Sequence, residues 1–442
     1  MTGTTVPAGS RADLERLVRI PSVSADAAAR PHLDQSADEV AAQLRAAGLT
    51  DVRVVSAEGG LPAVICRRPG PPGAPTVLLY AHHDVQPPGD RASWDSDPFE
   101  PVERGGRLYG RGAADDKAGV VLHCAALRAL VDDTRADPGV GVVVLVEGEE
   151  EIGSPTLPAL LAQHRDLLAA DVLVLADSTN WRVGVPALTT SLRGGVAATV
   201  EVRTLGHAVH SGVYGGPVPD ALTSLSRLLA TLHDEKGDVA VAGLGRAEAD
   251  PLDLTEDQLR ADAGVLDGVH LLGSGSLTSR LWTAPSLSVV GIDAPTVDGS
   301  AGVLVPVARA RLALRIAPGD DPGAARDALV GHLESHAPWG AQVTVTAGTP
   351  VAPFRAPTGG PAYSAARVAF AEAWGTHVVE IGVGGSIGFV SMFADAFPRA
   401  EVLITGVEDP DTRAHAANES LHLADFGKAI RAETLFLRKL GG

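Results

Sequence analysis

The stretch from Thr76 to Pro87, TVLLYAHHDVQP, joins a β-favouring apolar run to a histidine and an acid two positions apart, His82 and Asp84. If the backbone stays extended, those two side chains share one face and His83 takes the other. A metal-ligating histidine usually passes its second ring proton to a carboxylate, which fixes the tautomer and raises the basicity of the ligating nitrogen. Asp84 stands where it could do that for His82. Four further places set acids or a histidine in comparable positions. Asp115 sits at a loop-to-helix junction in GRGAADDKAG, and Glu147, Glu149, Glu150 and Glu151 crowd the end of the apolar run GVVVLV. Asp177 follows DVLVLA, and His415 lies in TRAHAANES, after another strand-like run. Each alone has an ordinary explanation as a solvated strand end, a helix cap meeting the helix dipole, an acidic loop or a turn. Together they fall where the carboxyl edge of one sheet would gather them, and carboxylates packed on such an edge repel unless a cation neutralises them.

The elements needed to hold that edge are legible in the periodicities. Helices are expected over 12–20, 32–47, 118–131, 156–169, 361–374 and 424–440, alternating with strands over 52–55, 63–67, 76–81, 141–146, 171–176, 377–381 and 401–405 in the rhythm of βαβ units. Past Leu188 the rhythm changes. A strand over 195–203, a helix over 220–234, strands over 287–292 and 303–316, a helix over 322–337 and a strand over 341–347 follow the β-α-β-β-α-β order of a ferredoxin-like domain. The expected fold class is therefore α/β, a mixed-sheet α/β/α catalytic domain of residues 1–190 and 349–442 interrupted by a smaller α+β (ferredoxin-like) lid domain of residues 191–348. Residues 236–275 fit neither template and read as an acidic, loop-rich excursion.

Composition narrows the function classes. At 442 residues the chain is long for one hydrophobic core. No apolar run reaches the roughly 18 residues of a membrane span. The opening MTGTTVPAGSRADLERLVRI lacks the basic-then-apolar pattern of a secretory signal, so a cytoplasmic location is expected. Cys66 and Cys124 are the two cysteines and form no CxxC pair, which suits small buried hydrophobes. A net charge of −18 argues against nucleic acid or an anionic membrane as partner and suits a protein that gathers carboxylates around cations.

The segments YAHHDVQP, WDSDPFEP, YGRGAADDKAG, EGEEEIGS, the aspartate after DVLVLA, HSGVYGG, GGSI and HAANES, in that order across residues 80 to 420, resemble the M20 metallopeptidases. These are dinuclear zinc-type exopeptidases that include dipeptidases, carnosinases, carboxypeptidases, aminoacylases and deacylases. The QP after HHDV and the DPFEP segment look more like the dipeptidase and carnosinase branch. The resemblance implies two divalent metal ions per chain, Zn2+ with Mn2+ or Co2+ as alternatives. Asp115 would bridge them, His82 and Asp177 would complete one position, and Glu151 and His415 the other. It further implies Glu150 as general base, Asp84 as the group that orients His82, and His210 of the lid as the residue that polarises the scissile carbonyl. Arg315 with Gly384, Gly385 and Ser386 would receive the C-terminal carboxylate of a small peptide substrate, and the lid would make a homodimer. Ala81, Ala118 and Gly388 replace a usual glycine, glycine and proline, and every ligand remains in place.

Metal-dependent hydrolysis of dipeptides is the leading expectation. An N-acyl amino acid deacylase of the acetylornithine deacetylase or succinyl-diaminopimelate desuccinylase type would use the same metals, and a non-catalytic metal or peptide binder would use the same scaffold. GVGGSIG at 382–388 has the spacing GxGxxxG rather than GxGxxG, and Glu401 begins the next strand instead of an acid ending it. Glycine-framed amides before a helix bind a carboxylate as readily as a phosphate, which fits a peptide C-terminus. No Walker sequence is present, which sets aside P-loop enzymes.

Overall fold

The apolar runs of the N-terminal half become the middle of one mixed sheet in the computed structural model, which describes residues 6–132, 139–249 and 252–442. Its strands lie in the order Arg53–Val55, Ala63–Arg68, Gly141–Glu147, Thr76–His82, Val172–Leu175, Glu401–Ile404 and Ala187–Leu192. From Gly141–Glu147 to Glu401–Ile404 the pairings are parallel, and the flanking pairings on both sides are antiparallel. Gly141–Glu147 is buried at every position, as a strand covered on both faces must be. The helix Lys117–Asp132 packs on Thr76–His82 and against the helices Ser10–Val18 and Leu423–Gly441. From the helix Gly388–Ala396, Phe389 and Phe393 bring their rings to 4.4 and 5.1 Å from that of Tyr80. Because the central strands are parallel, their carboxyl ends share one edge, and the loops that leave them carry the chemistry.

Contacts divide the chain into two compact units. The first is Met1–Thr190 with Ala356–Ile381 and Gly388–Gly442, and the second is Ser191–Arg355 with Gly382–Ile387. In the second unit four antiparallel strands lie in the order Ser286–Asp293, Val307–Ile316, Gly194–Arg203 and Gln342–Ala347, which by chain position is second, third, first, fourth. Gly194–Arg203 alternates buried and half-buried positions, and its inward Val196, Ala198, Val200 and Val202 meet Leu225 and Leu228 of the helix Ala221–Ala230 and Leu329 and Leu333 of the helix Pro322–Ser335. The fold is thus α/β with an inserted ferredoxin-like α+β unit, as the periodicities predict.

Several elements differ from expectation for local reasons. The strand expected over 303–316 is broken at Pro306, which has no N–H to give to a ladder. Val303–Leu304 instead pairs with Val209–His210, while Val307–Ile316 stays in the four-stranded sheet. The helix expected over 156–169 is two, Leu157–Gln163 and Arg165–Leu168, with His164 between them outside helical geometry. The excursion at 236–275 holds a helix, Glu256–Ala263, opened by a reciprocal capping box between Thr255 and Gln258. The loop after the first histidine motif also contains two short strands, Val102–Arg104 and Arg107–Tyr109, which continue into a small sheet with Ser420–His422. Cys66 and Cys124 are free and buried, and burial pushes both thiols up to about 12. Among the described residues no helix is long and apolar enough to cross a membrane.

Candidate metal centre

Six side chains from five segments converge on the carboxyl edge of the first unit's sheet. His82 ends its strand opposite Glu147, and Glu150 and Glu151 follow Glu147 in a short 3-10 turn. Asp177 leaves Val172–Leu175, His415 lies in the loop after Glu401–Ile404, and Asp115 precedes the helix Lys117–Asp132. Ligand atoms of His82, Glu150 and Asp177 lie within 4.8 Å of one another, and so do those of Asp115, Glu151 and His415. Asp115 joins the two groups. One of its oxygens is 3.1 Å from His82 Nε2 and the other 3.0 Å from His415 Nε2, which is itself 3.1 Å from Glu151. Imidazoles and carboxylates without thiolate, in two groups joined by a two-oxygen acid, are a donor set for a pair of divalent cations.

The acidic run after Gly141–Glu147 separates into distinct tasks. Glu147 accepts from Tyr80 Oη at 2.8 Å, and Glu149 ties down the Leu61 amide (2.8 Å) and Thr156 Oγ1 (2.6 Å). Glu150 falls in the first ligand group and Glu151 in the second. Strand alternation is kept, since His83 turns its Nε2 to the Pro62 carbonyl at 2.9 Å, away from both groups, and burial takes its pKa down to about 4.

Hydrogen-bonded polar residues hold these ligands in place. Asp84 presents its carbonyl 3.1 Å and its carboxylate 3.4 Å from His82 Nδ1, and the same carboxylate accepts from the amides of Glu150 (3.2 Å) and Glu151 (3.1 Å). Gln86 donates its side-chain amide to Glu151 Oε2 (2.8 Å) and its backbone amide to Glu151 Oε1 (3.1 Å). Glu419 accepts from Arg111 Nη1 (2.6 Å) and from the amides of Gly112 (3.1 Å), Ala114 (3.0 Å) and Asp115 (3.2 Å), so the loop that presents Asp115 is wound around one carboxylate. Asn418 anchors the His415 loop by accepting from the Asp95 amide (2.9 Å) and donating to the Ser93 carbonyl (3.2 Å). That loop holds Arg413, His415 and Asn418 at positive φ, a region that non-glycine residues enter at a cost and that persists only when neighbours fix it. Gln86, Arg111, Asn418 and Glu419 all lie inside the motif segments singled out in the sequence, but nothing in their types alone separates them from ordinary polar residues there.

Electrostatics follow from crowding. Burial first, then Asp177, pushes Glu150 up to about 9; burial first, then Asp115 and Glu151, takes Asp177 to about 7. His415 is pushed up to about 11 by its bonds to Asp115 and then Glu151. Burial opposes a charge on His82, yet its bonds to Asp115 and Asp84 raise it well above the usual imidazole range. Burial likewise opposes ionisation of Asp115, and the two histidines overcome it and hold the carboxyl below the usual range. This pattern of strained acids and cation-seeking oxygens is what a bound pair of divalent ions would relieve.

The remaining sequence-predicted residues lie in the second unit. Arg315 Nη1 donates to Ser386 Oγ at 2.7 Å. Beside them Gly195 leaves room for this bond, since a Cβ there would sit 3.0 Å from Ser386 Oγ and 3.4 Å from Arg315 Nη1. Sequence reasoning missed Arg193. Its guanidinium donates to the carbonyls of Gly384 and Ala284 and to Ser286 Oγ, all at 3.0 Å, and so fixes the glycine loop. Burial, and then the charge of Arg315, brings it down to about 10, so two guanidiniums flank Gly384 and Ser386. Gly385 stands between those two residues. His210 is exposed and accepts from the Gly212 amide through Nδ1 at 3.0 Å, which leaves the proton on Nε2.

Comparison with known proteins agrees with this geometry. Residues 78–439 match the family model of peptidase family M20/M25/M40. The chain is 36% identical over 375 residues to a cysteinylglycine-S-conjugate dipeptidase of Corynebacterium striatum, covering 83% of this chain and 82% of that protein. It is 28% identical to a human beta-Ala-His dipeptidase over 82% of this chain and 74% of that protein. The crystal structure of human carnosine dipeptidase 1 superimposes with a TM-score of 0.82 at 25% identity, covering 98% of this chain and 96% of that one.

Proposed function

The chain belongs to peptidase family M20/M25/M40, and on that premise we propose that it is a metal-dependent dipeptidase acting on peptides with a free C-terminal carboxylate. The observation that carries the reading is Asp115, whose two oxygens each face a histidine of a different ligand group. We assign zinc to both positions, the donor set being one that Mn2+ or Co2+ would also accept. Bound there, two such ions supply Lewis-acid polarisation of the scissile carbonyl and acidify the attacking water.

The chain's own residues supply the rest. His82, Asp177 and the shared Asp115 would hold the first ion without Glu150, which is half-buried with its affinity for a proton raised and takes the proton of the attacking water and passes it to the leaving amine. Asp84 keeps His82 in the tautomer that leaves Nε2 free to ligate, and its bonds to the amides of Glu150 and Glu151 set base and ligand in register. We assign His210, with its proton on Nε2, as the donor to the carbonyl oxygen as negative charge develops. Arg315, Ser386 and the loop through Gly384 and Gly385 receive the substrate carboxylate, and Arg193 holds that loop. We further propose a homodimer formed through the second unit; a monomeric mass in light scattering at micromolar concentration would count against it.

The test is Glu150→Ala. General-base catalysis is worth about 10² to 10⁴ in rate, so kcat on dipeptides should fall by that much while metal analysis still finds two ions per chain. Two ions together with wild-type hydrolysis would overturn the mechanism.

A further inference from the structure

A cavity of about 270 Å³ opens within the second unit, between the helices Glu256–Ala263 and Leu277–Trp282 and the strand Ser286–Asp293. Val239, Leu259, Leu277, Leu281 and Leu287 give it apolar walls, and Arg280 brings a guanidinium to it. The acid and the histidine that also line it are already engaged. His233 Nε2 donates to the Leu287 carbonyl (3.1 Å), and Asp238 accepts from Arg246 Nη1 (2.9 Å) and from the amide (3.1 Å) and hydroxyl (2.6 Å) of Ser274. Arg280 differs. Its Nη1 donates to the carbonyls of Leu272 (3.1 Å) and Gly273 (3.4 Å), its Nε is buried without a partner, and among the described residues no carboxylate pairs with it. Its Nε–Nη2 edge thus makes no bond among the described residues, and such an edge can take both oxygens of a carboxylate.

A guanidinium set among leucines and held only by carbonyls is stabilised by an anion, and the walls favour an aliphatic chain beside that anion. We propose that this cavity is an accessory binding site for a small carboxylic acid with an aliphatic chain, Arg280 holding the carboxylate and the leucines the chain. An apolar cavity of about 150 Å³ takes benzene, so one of about 270 Å³ suits an acid of roughly eight carbons. The site is distinct from the loop through Gly384 and Ser386, whose flanking guanidiniums are Arg193 and Arg315. It does share a wall with that loop's support, because Ala284 and Ser286 line the cavity and also accept from Arg193. An acid bound there would lie against the residues that fix the substrate-carboxylate loop.

The experiment is calorimetric titration of the metal-loaded full chain with octanoate. A saturable site is expected, with octanol bound about 10- to 100-fold more weakly because it brings the chain without the charge. Arg280→Gln should weaken octanoate by about the same factor and leave octanol within about twofold, whereas the site should survive Arg315→Gln. The octanol comparison is made on the wild-type chain, so it decides the matter even if Arg280→Gln does not fold. No saturable binding up to about 10 mM, octanoate and octanol bound alike, or octanoate binding kept in Arg280→Gln and lost in Arg315→Gln, overturns the proposal.

Discussion

Glu419 offers a direct test of how the metal-binding edge is held. Its carboxylate is fully buried, and four donors converge on it: Arg111 Nη1 and the amides of Gly112, Ala114 and Asp115. Burial raises its pKa and Arg111 pulls it back, so the ionised form is sustained by these partners. Glu419→Gln keeps the shape but removes the charge and turns one oxygen into a donor that must face either Arg111 or the amides. Arg111, 1% exposed, is then left with a buried charge and no counter-ion. Breaking such a pair costs about 3 to 5 kcal/mol, and each amide left without an acceptor about 1 to 3 kcal/mol more. The oxygen that glutamine retains offsets part of this, so the expected loss is about 3 to 4 kcal/mol in guanidinium unfolding with chelator present. The loosened loop should also weaken cation binding by about 10- to 100-fold in calorimetric titration, because Asp115 can no longer aim one oxygen at each histidine. Combining Glu419→Gln with Arg111→Met removes the stranded charge, so the two losses should fall short of additivity by about 1 to 3 kcal/mol. A single variant within about 0.5 kcal/mol of wild type, or a strictly additive pair, would refute this account.

Two further outcomes follow from the same electrostatics. Zinc or manganese at about 100 times its dissociation constant should stabilise the folded chain by about 2.7 kcal/mol per site, visible as a rise in Tm that chelator reverses; melting indifferent to both would argue against two cation sites. His123 Nδ1 lies 2.9 Å from both oxygens of Glu433 and its Nε2 3.0 Å from the Tyr80 carbonyl. Burial opposes the charge on His123, but Glu433 raises its pKa above the ordinary imidazole value. A raised folded-state pKa contributes stability that is fully present below the unfolded value of roughly 6.5 and lost as pH rises through the folded value. The stability gap between wild type and His123→Gln should therefore shrink in denaturant titrations as pH rises from the unfolded value through the folded one, and a gap constant with pH would contradict the pairing.

How much of this was legible in the sequence depended on whether a residue announced itself locally. His82 and Asp177 stand out because ionisable groups directly follow apolar strands, and alternation chose His82 over His83 before any geometry was known. The broken strand at Pro306 and the Thr255 capping box also had their signals in the chain, a missing donor and a T-x-x-Q spacing. What could not be read was the pairing of distant segments. Arg111 and Glu419 are 308 positions apart, and neither residue type suggests the other. Arg193 was invisible for the same reason, since its work depends on Gly384 being brought beside it by a strand pairing.

The acids of the edge illustrate why the legible and the hidden parts differ in kind. Asp84, Glu149 and Glu419 each accept bonds from amides, hydroxyls or a guanidinium, so the fold itself fixes where they point. Their role is positional, and it emerges only when the segments that donate to them have met. Asp115, Glu150 and Asp177 instead lie with their oxygens toward one another and toward histidines. Such an arrangement is unfavourable for a folded chain considered alone, because desolvated like charges raise one another's energy. Sequence reasoning found most of this second class because crowding of like charge on an apolar strand edge already needs an explanation.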